Sequence, residues 1–132
     1  MRSSKRFLLD TQAFILAAEG DSALPPKART VFLNQDATLY LSLVSLWEMQ
    51  IKLSLGKLKL PVSLPETVQR AVTDIGLELL PLHADHIYTL AELPFHHRDP
   101  FDRLLVAQAL NEQMPILGNH AALDHYGITR IW

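Results

Sequence analysis

The sequence predicts an α/β sandwich built on a mainly parallel sheet, and three observations carry that prediction. Short apolar runs alternate with longer stretches of helical periodicity along all 132 residues. Such alternation marks βα units rather than a helical bundle or a β-barrel. Serine, proline and glycine punctuate the helical stretches where helix starts and stops belong. Four acidic residues, Asp10, Glu48, Asp99 and Asp102, fall where strands should hand over to helices. In an open parallel sheet, ligands bind beyond the carboxyl ends of the strands, where strand order reverses.

The first strand is expected at 6–9, where Phe7-Leu8-Leu9 runs into Asp10. Helices follow over 11–19 and 26–34, the second opening on Pro26. Thr38-Leu39-Tyr40-Leu41 is rich in strand formers and gives the second strand. A helix over 45–55 comes next, with Ser45-x-x-Glu48 as a capping box and Gly56 as its stop. Ser63-Leu64-Pro65-Glu66 starts a helix over 65–75 that Gly76 ends. A third strand over 77–82 and a helix over 84–93 follow. Asp99-Pro100 then opens the long helix over 100–113, and strands at 115–117 and 128–132 complete the sheet. No internal repeat, low-complexity tract or linker divides the chain, so 1–132 reads as a single domain.

Composition excludes several classes. Hydrophobic residues make up 48% of the chain, too many for a disordered or tail-like protein. The absence of cysteine rules out a disulfide framework and thiolate zinc sites, and fits a reducing cytosol. The basic start, Met1 to Arg6, leads into an apolar run that Asp10 breaks, so no signal-peptide core is expected. No apolar run approaches the roughly 20 residues that a membrane helix needs. Net charge is −2, from 12 basic and 14 acidic residues, so a nucleic-acid partner would need a local basic patch.

Clustered carboxylates repel one another unless protons or a hard cation neutralise them. Convergence of the four acids would therefore make a divalent-metal site suited to phosphodiester hydrolysis. Each acid also has a plainer role. Asp10 can cap the helix that follows it. Glu48 can close the Ser45 capping box, although a glutamate on a buried helix beside Trp47 and Ile51 needs a partner. With Pro100 at the first helical position, Asp99 is an N-cap and Asp102 lies at the third position, both near the helix's positive end. Arg98 and Arg103 flank the pair and could hold phosphate oxygens or simply pair with the acids. His96-His97 suits a phosphate or solvent contact better than ligation, because zinc motifs space their ligands further apart. Lys52, Lys57 and Lys59 form a compact basic cluster; beside an acidic site such a cluster can hold RNA, and Lys52 equally suits a helix C-terminus.

The motifs Leu8-Leu9-Asp10-Thr11, Ser45-Leu46-Trp47-Glu48, Leu55-Gly56-Lys57-Leu58 and His97-Arg98-Asp99-Pro100-Phe101-Asp102-Arg103-Leu104-Leu105 occur in that order. The ending Tyr126-Gly127-Ile128, then Ile131-Trp132, fits the same series. Over nearly its whole length the chain resembles PIN-domain proteins, specifically the toxin branch of bacterial toxin–antitoxin pairs (virulence-associated protein C type). The resemblance implies a three-layer α/β/α sandwich and a Mg²⁺- or Mn²⁺-dependent ribonuclease. It also implies a homodimer, silenced by an antitoxin whose C-terminal segment occupies the active-site groove. Asp10, Glu48 and Asp102 match the family's acidic ligands, Asp99 an acidic position common in this branch, and Thr11 the hydroxyl beside the first aspartate.

Two departures stand out. The first motif usually reads Asp-Thr-His and here reads Asp10-Thr11-Gln12. The last usually reads Thr-x-Asp after the fourth strand; here Gly118-Asn119-His120 puts His120 in the fourth acid's position. Asp124 would share a helix face with His120, but about one turn, roughly 5 Å, further from the strand end. Imidazole is a poor ligand for Mg²⁺ and a better one for Mn²⁺, Zn²⁺ or Fe²⁺.

The expectation is thus a cytoplasmic, metal-dependent endoribonuclease acting as a toxin. Asp10, Glu48 and Asp102 hold the metal, Asp99 assists, and His120 is a further candidate ligand. Thr11, Lys52, Lys57, Arg98 and Arg103 are the candidate RNA contacts. The rival is a catalytically impaired PIN domain that binds RNA or an antitoxin without cutting, which His120 keeps open. A phosphate-receiver domain also gathers aspartates at strand ends, but it needs a lysine on a late strand, and Pro115-Ile116-Leu117 leads into Gly118 instead.

Overall fold

Successive residues of a strand face opposite sides of its sheet. In β1 (Lys5–Leu9) both sides are apolar, so both faces must be covered. The computed structural model, which describes residues 5–94 and 99–132, shows how. Phe7 and Leu9 enter one hydrophobic core, and Leu8 enters another across the sheet. The first core takes Ala13 and Phe14 from α1 (Thr11–Glu19), Ala28 from α2 (Pro26–Leu33), and Leu64 and Val68 from α4 (Leu64–Ile75). The second takes Leu105, Val106 and Ala109 from α6 (Pro100–Glu112). Helix α5 (Ala84–Ala91) rides on α6, where the buried His86 places its Nε2 2.9 Å from Glu112 Oε2. The result is the predicted three-layer α/β/α sandwich.

The remaining strands are β2 (Ala37–Ser42), β3 (Glu78–Leu80), β4 (Ile116–Leu117) and β5 (Arg130–Ile131). Their order is β3-β2-β1-β4-β5, and every pairing is parallel. The chain steps outward from β1 through β2 to β3, then returns to the other side of β1 for β4. The sheet's switch point therefore lies between β1 and β4. Leu9 pairs with both Leu41 and Leu117, so the carboxyl ends of the three central strands are level. Helix α3 (Leu43–Ser54) crosses that end, giving Val44 to one core and Met49 to the other.

Most boundaries follow the sequence signals. Ser63 caps α4 by accepting from the Glu66 amide, and Gly76 closes it in the left-handed conformation at φ 68°. The outer strands are shorter than expected. The 77–82 run yields only Glu78–Leu80 and the 128–132 run only Arg130–Ile131; both are edge strands, which proteins commonly keep short. The Ser45-x-x-Glu48 capping box does not exist. Ser42 is the cap, its hydroxyl accepting from the Val44 amide, and α3 starts two residues earlier. That shift puts Ser45 and Glu48 inside the helix, facing α1. Two short 3₁₀ helices, Asp21–Ala23 and Ala121–Tyr126, were not anticipated as such. Among the described residues no helix is long and apolar enough to cross a membrane.

Candidate active site

Asp10 ends β1 at the switch point and starts α1. It is the N-cap, its Oδ1 accepting from the Ala13 amide at 2.7 Å. The cap role and a place in the cleft are compatible, because the second oxygen faces away from the helix toward the end of β4. There Gly118 makes room for it. A Cβ on Gly118 would stand 2.6 Å from Asp10 Cγ, far inside contact distance, so any side chain there would force the Asp10 carboxyl to shift. The Asp10 carboxyl is buried, and its pKa is pushed up from 3.8 to about 6. Desolvation is the main cause and the nearby Asp102 adds to it, while the amides of Ala13 and Asn119 and the His120 ring act against it.

Glu48 reaches the same place from α3. Its Oε1 accepts from the Thr11 hydroxyl at 2.7 Å, and its Oε2 lies 2.8 Å from Lys52 Nζ. Thr11 Oγ1 is also 2.9 Å from Ser45 Oγ. Thr11 has one hydroxyl proton, so Ser45 donates there while Thr11 donates to Glu48. Burial of Glu48 is thus answered by a cation one helical turn along and by a neutral donor on α1. The Lys52 ammonium is held above its usual pKa, first by the hydrogen bond to Glu48 and further by the charges of Asp99 and Asp102.

Helix α6 delivers the other two acids. Asp99 is its N-cap and accepts from the amides of Phe101 and Asp102 through Oδ1, at 2.8 and 3.1 Å. Asp102 emerges from the first turn and places Oδ2 3.0 Å from His120 Nδ1. His120 follows β4 and is the N-cap residue of the 3₁₀ helix, although its side chain makes no cap hydrogen bond. Asp124 lies elsewhere: Arg130 holds it bidentately, at 2.9 and 3.1 Å, which lowers its pKa.

A cleft of about 360 Å³ is lined by Asp10, Thr11, Glu48, Lys52, Asp99, Asp102 and His120, together with Gln12, Ile15 and Asn119. The four acids of the sequence reading are therefore brought together, with Thr11, Lys52 and His120 among them. Lys57 is exposed beyond the end of α3 and does not line the cleft. Arg103 turns away, its Nη2 donating to the Leu93 carbonyl at 3.1 Å. Arg98, like His96 and His97, lies outside the described residues. Asn119 and Gly118 were missed as site residues; a glycine directly after an apolar strand was the available signal. The Glu48–Lys52 pair was also missed, though Glu and Lys four apart on one helix are natural partners. A second cavity, of about 300 Å³, lies between α1, α2 and α4, has a largely apolar lining and contains none of these acids.

The donor set is chemically that of a hard divalent cation: carboxylate oxygens, one of them on an acid whose charged form burial disfavours. As they stand, however, no three His, Asp or Glu side chains among the described residues are arranged to share an ion. Each is turned to a local partner: Asp10 to Ala13, Glu48 to Thr11 and Lys52, Asp102 to His120. The residues fit the cation by type, and Lys52 and His120 stand where it would have to compete.

Comparison with known proteins agrees with this architecture. The model of the PIN domain matches residues 7–126. No curated protein sequence matches. Among solved structures, the chain is similar to VapBC2 from Rickettsia felis bound to a promoter DNA fragment, with a TM-score of 0.72 and 17% identity over 95% of this chain and 96% of that one. It is also similar to FitAcB from Neisseria gonorrhoeae (TM-score 0.59, 13% identity, 94% and 95% covered) and to FitAB bound to the IR36 DNA fragment (0.59, 14%, 94% and 92%). A family model spanning all but the ends of the chain, on a five-stranded parallel sheet with acids gathered at its switch point, makes this chain a member of the PIN-domain family.

Proposed function

We propose that the protein is a Mg²⁺- or Mn²⁺-dependent endoribonuclease, the toxin of a toxin–antitoxin pair working in the cytoplasm. The observation that carries this reading is the acidic cleft at the switch point, in which burial holds Asp10 at a pKa of about 6. Such a group gains most from a cation that relieves its repulsion from Asp102. Asp10, Glu48 and Asp102 would hold the cation, with Asp99 assisting. When bound, the cation supplies Lewis acidity, easing deprotonation of water and offsetting phosphate charge. The protein's own residues orient the carboxylates. Thr11 fixes Glu48, the Ala13 amide fixes Asp10, and Gly118 leaves the space that Asp10 occupies. No side-chain nucleophile is required, and water attacks the phosphorus in line with the departing oxygen.

The similar VapBC2 and FitAB structures are complexes, which supports an antitoxin as the partner here. A homodimer is supported by α3. Leu43, Trp47, Ile51 and Leu55 recur every fourth residue and are all exposed, Trp47 at 60% and Leu55 at 62%. An apolar stripe of this kind on a helix beside the site is the expected mark of a protein interface. A second reading, a PIN domain that binds without cutting efficiently, is favoured by one observation: His120 sits on Asp102, where a fourth acid would otherwise stand. One experiment separates the two. Purified, antitoxin-free protein is incubated with RNA in Mg²⁺ and then Mn²⁺, with Asp10→Asn as the control. Cleavage by the wild type alone supports the nuclease; RNA binding without cleavage in either metal supports the second reading.

A further inference from the structure

We propose that Lys52 is the built-in counter-ion of the cleft, and that a divalent cation must exchange with its ammonium to engage Glu48. The inference rests on the metal-site reading above and gives it a specific competitor. Glu48 has two oxygens. One accepts from Thr11 at 2.7 Å and the other is held by Lys52 at 2.8 Å. The Glu48 side chain is only 9% exposed, so its charge cannot rely on water and needs a partner within the fold. Lys52 supplies it, and the fields of Asp99 and Asp102 also bear on its ammonium. A cleft lined by four carboxylates can therefore form before any metal arrives.

The seating is built to be reversible. The Lys52 side chain is 44% exposed and projects from the last turn of α3. Its flexible stem lets the ammonium swing into water while the backbone stays fixed. A dication brought to Glu48 meets a positive charge bonded to the same carboxylate. Like charges at such close range repel even in bulk water, and more strongly in a partly buried cleft. The ammonium must leave as the cation enters, so Lys52 lowers metal affinity while it stabilises the metal-free protein. Thr11 presents no such obstacle, since its hydroxyl is neutral and can turn to Ser45.

The test uses the full chain with three substitutions at this position: Lys52→Met, Lys52→Gln and Lys52→Arg. Mn²⁺ binding is measured by calorimetry and by the loss of the free-ion paramagnetic resonance signal, and melting is followed in chelator. Lys52→Met should bind Mn²⁺ at least about tenfold more tightly than wild type, a change of about 1.4 kcal/mol, and should melt lower without metal. Lys52→Gln, which keeps a neutral donor toward Glu48, should show the same gain should the methionine variant fail to fold. Lys52→Arg, which keeps the charge, should stay near the wild-type affinity. Equal or weaker Mn²⁺ binding in the methionine and glutamine variants, with wild type and Lys52→Arg binding normally, overturns the counter-ion role and leaves the metal site standing. No Mn²⁺ binding by any of the four proteins overturns both.

Discussion

Replacing Asp10 by asparagine tests what burial does to the cleft. In the metal-free protein the Asp10 carboxyl has a pKa of about 6 against 3.8 in water. An acid whose pKa rises on folding is easier to hold protonated when folded, so the fold loses stability as pH climbs from near 4 to above 6. At about 1.4 kcal/mol per pH unit, the gap gives an upper bound of about 3 kcal/mol at pH 7.5. Asparagine carries no charge and is as good an N-cap as aspartate, so the bond from Ala13 survives. Asp10→Asn should therefore stabilise the protein in chelator at pH 7.5 by about 1–3 kcal/mol. With an unfolding entropy of about 2.1 cal/mol/K per residue, that is a rise in Tm of about 4–11 °C. At pH 4.5 most of the penalty is gone, and the advantage should shrink to about 1 kcal/mol or less. Circular dichroism melts in EDTA at the two pH values measure this directly. Added Mn²⁺ should reverse the order, because the wild type gains ligand-binding free energy that the variant cannot. An asparagine variant that melts below wild type at pH 7.5 in chelator, or whose advantage does not depend on pH, would refute the buried-charge reasoning.

Gly118→Ala pushes a methyl group into the Asp10 carboxyl and should cost about 1–3 kcal/mol in a chemical denaturation curve, with loss of cleavage. His120→Asp puts a carboxylate against Asp102, so it should lower the metal-free Tm while raising Mg²⁺-supported cleavage and narrowing any Mn²⁺ advantage; unchanged metal dependence with the fold intact would show that this position does not tune the site. Asp124→Ala removes an acid that Arg130 already holds, so Mn²⁺ affinity by calorimetry should not move. Trp47→Glu places a charge in the exposed stripe of α3 and should shift sedimentation from dimer to monomer; a wild type that is monomeric at high micromolar concentration would count against the interface.

The layers and the strand–helix alternation were legible because they rest on periodicity, which one chain carries in full. Asp99 and Asp10 were legible as caps because capping is local: Pro100 follows the one, and α1 follows the other. Ser45 and Glu48 were misjudged as a capping box because Ser42 offers an equivalent hydroxyl three residues earlier, and local pattern cannot choose between two nearby caps. Tertiary context chose Ser42, and Ser45 then met Thr11 on α1. The seating of His120 on Asp102 joins residues from the ends of two elements far apart in sequence, so spacing alone could not reveal it. Which strands lie at the sheet's edges was hidden for the same reason, since strand order depends on topology.

Helix α3 limits how this protein can change over generations. Trp47, Glu48 and Met49 are consecutive, and they face the exposed stripe, the cleft and the core respectively. Ser45 and Lys52 are tied to the cleft's own contacts, and Val44 to the second core. Gln50 and Ser54 are exposed and bonded to each other at 3.3 Å, which makes them the two positions where substitution touches none of these surfaces. A saturation library of α3 selected for folding, for partner binding and for activity should show tolerance concentrated at 50 and 54. Trp47, inside the stripe, adjoins the site's glutamate on the same helix, so inherited changes in recognition and in chemistry will tend to be filtered together.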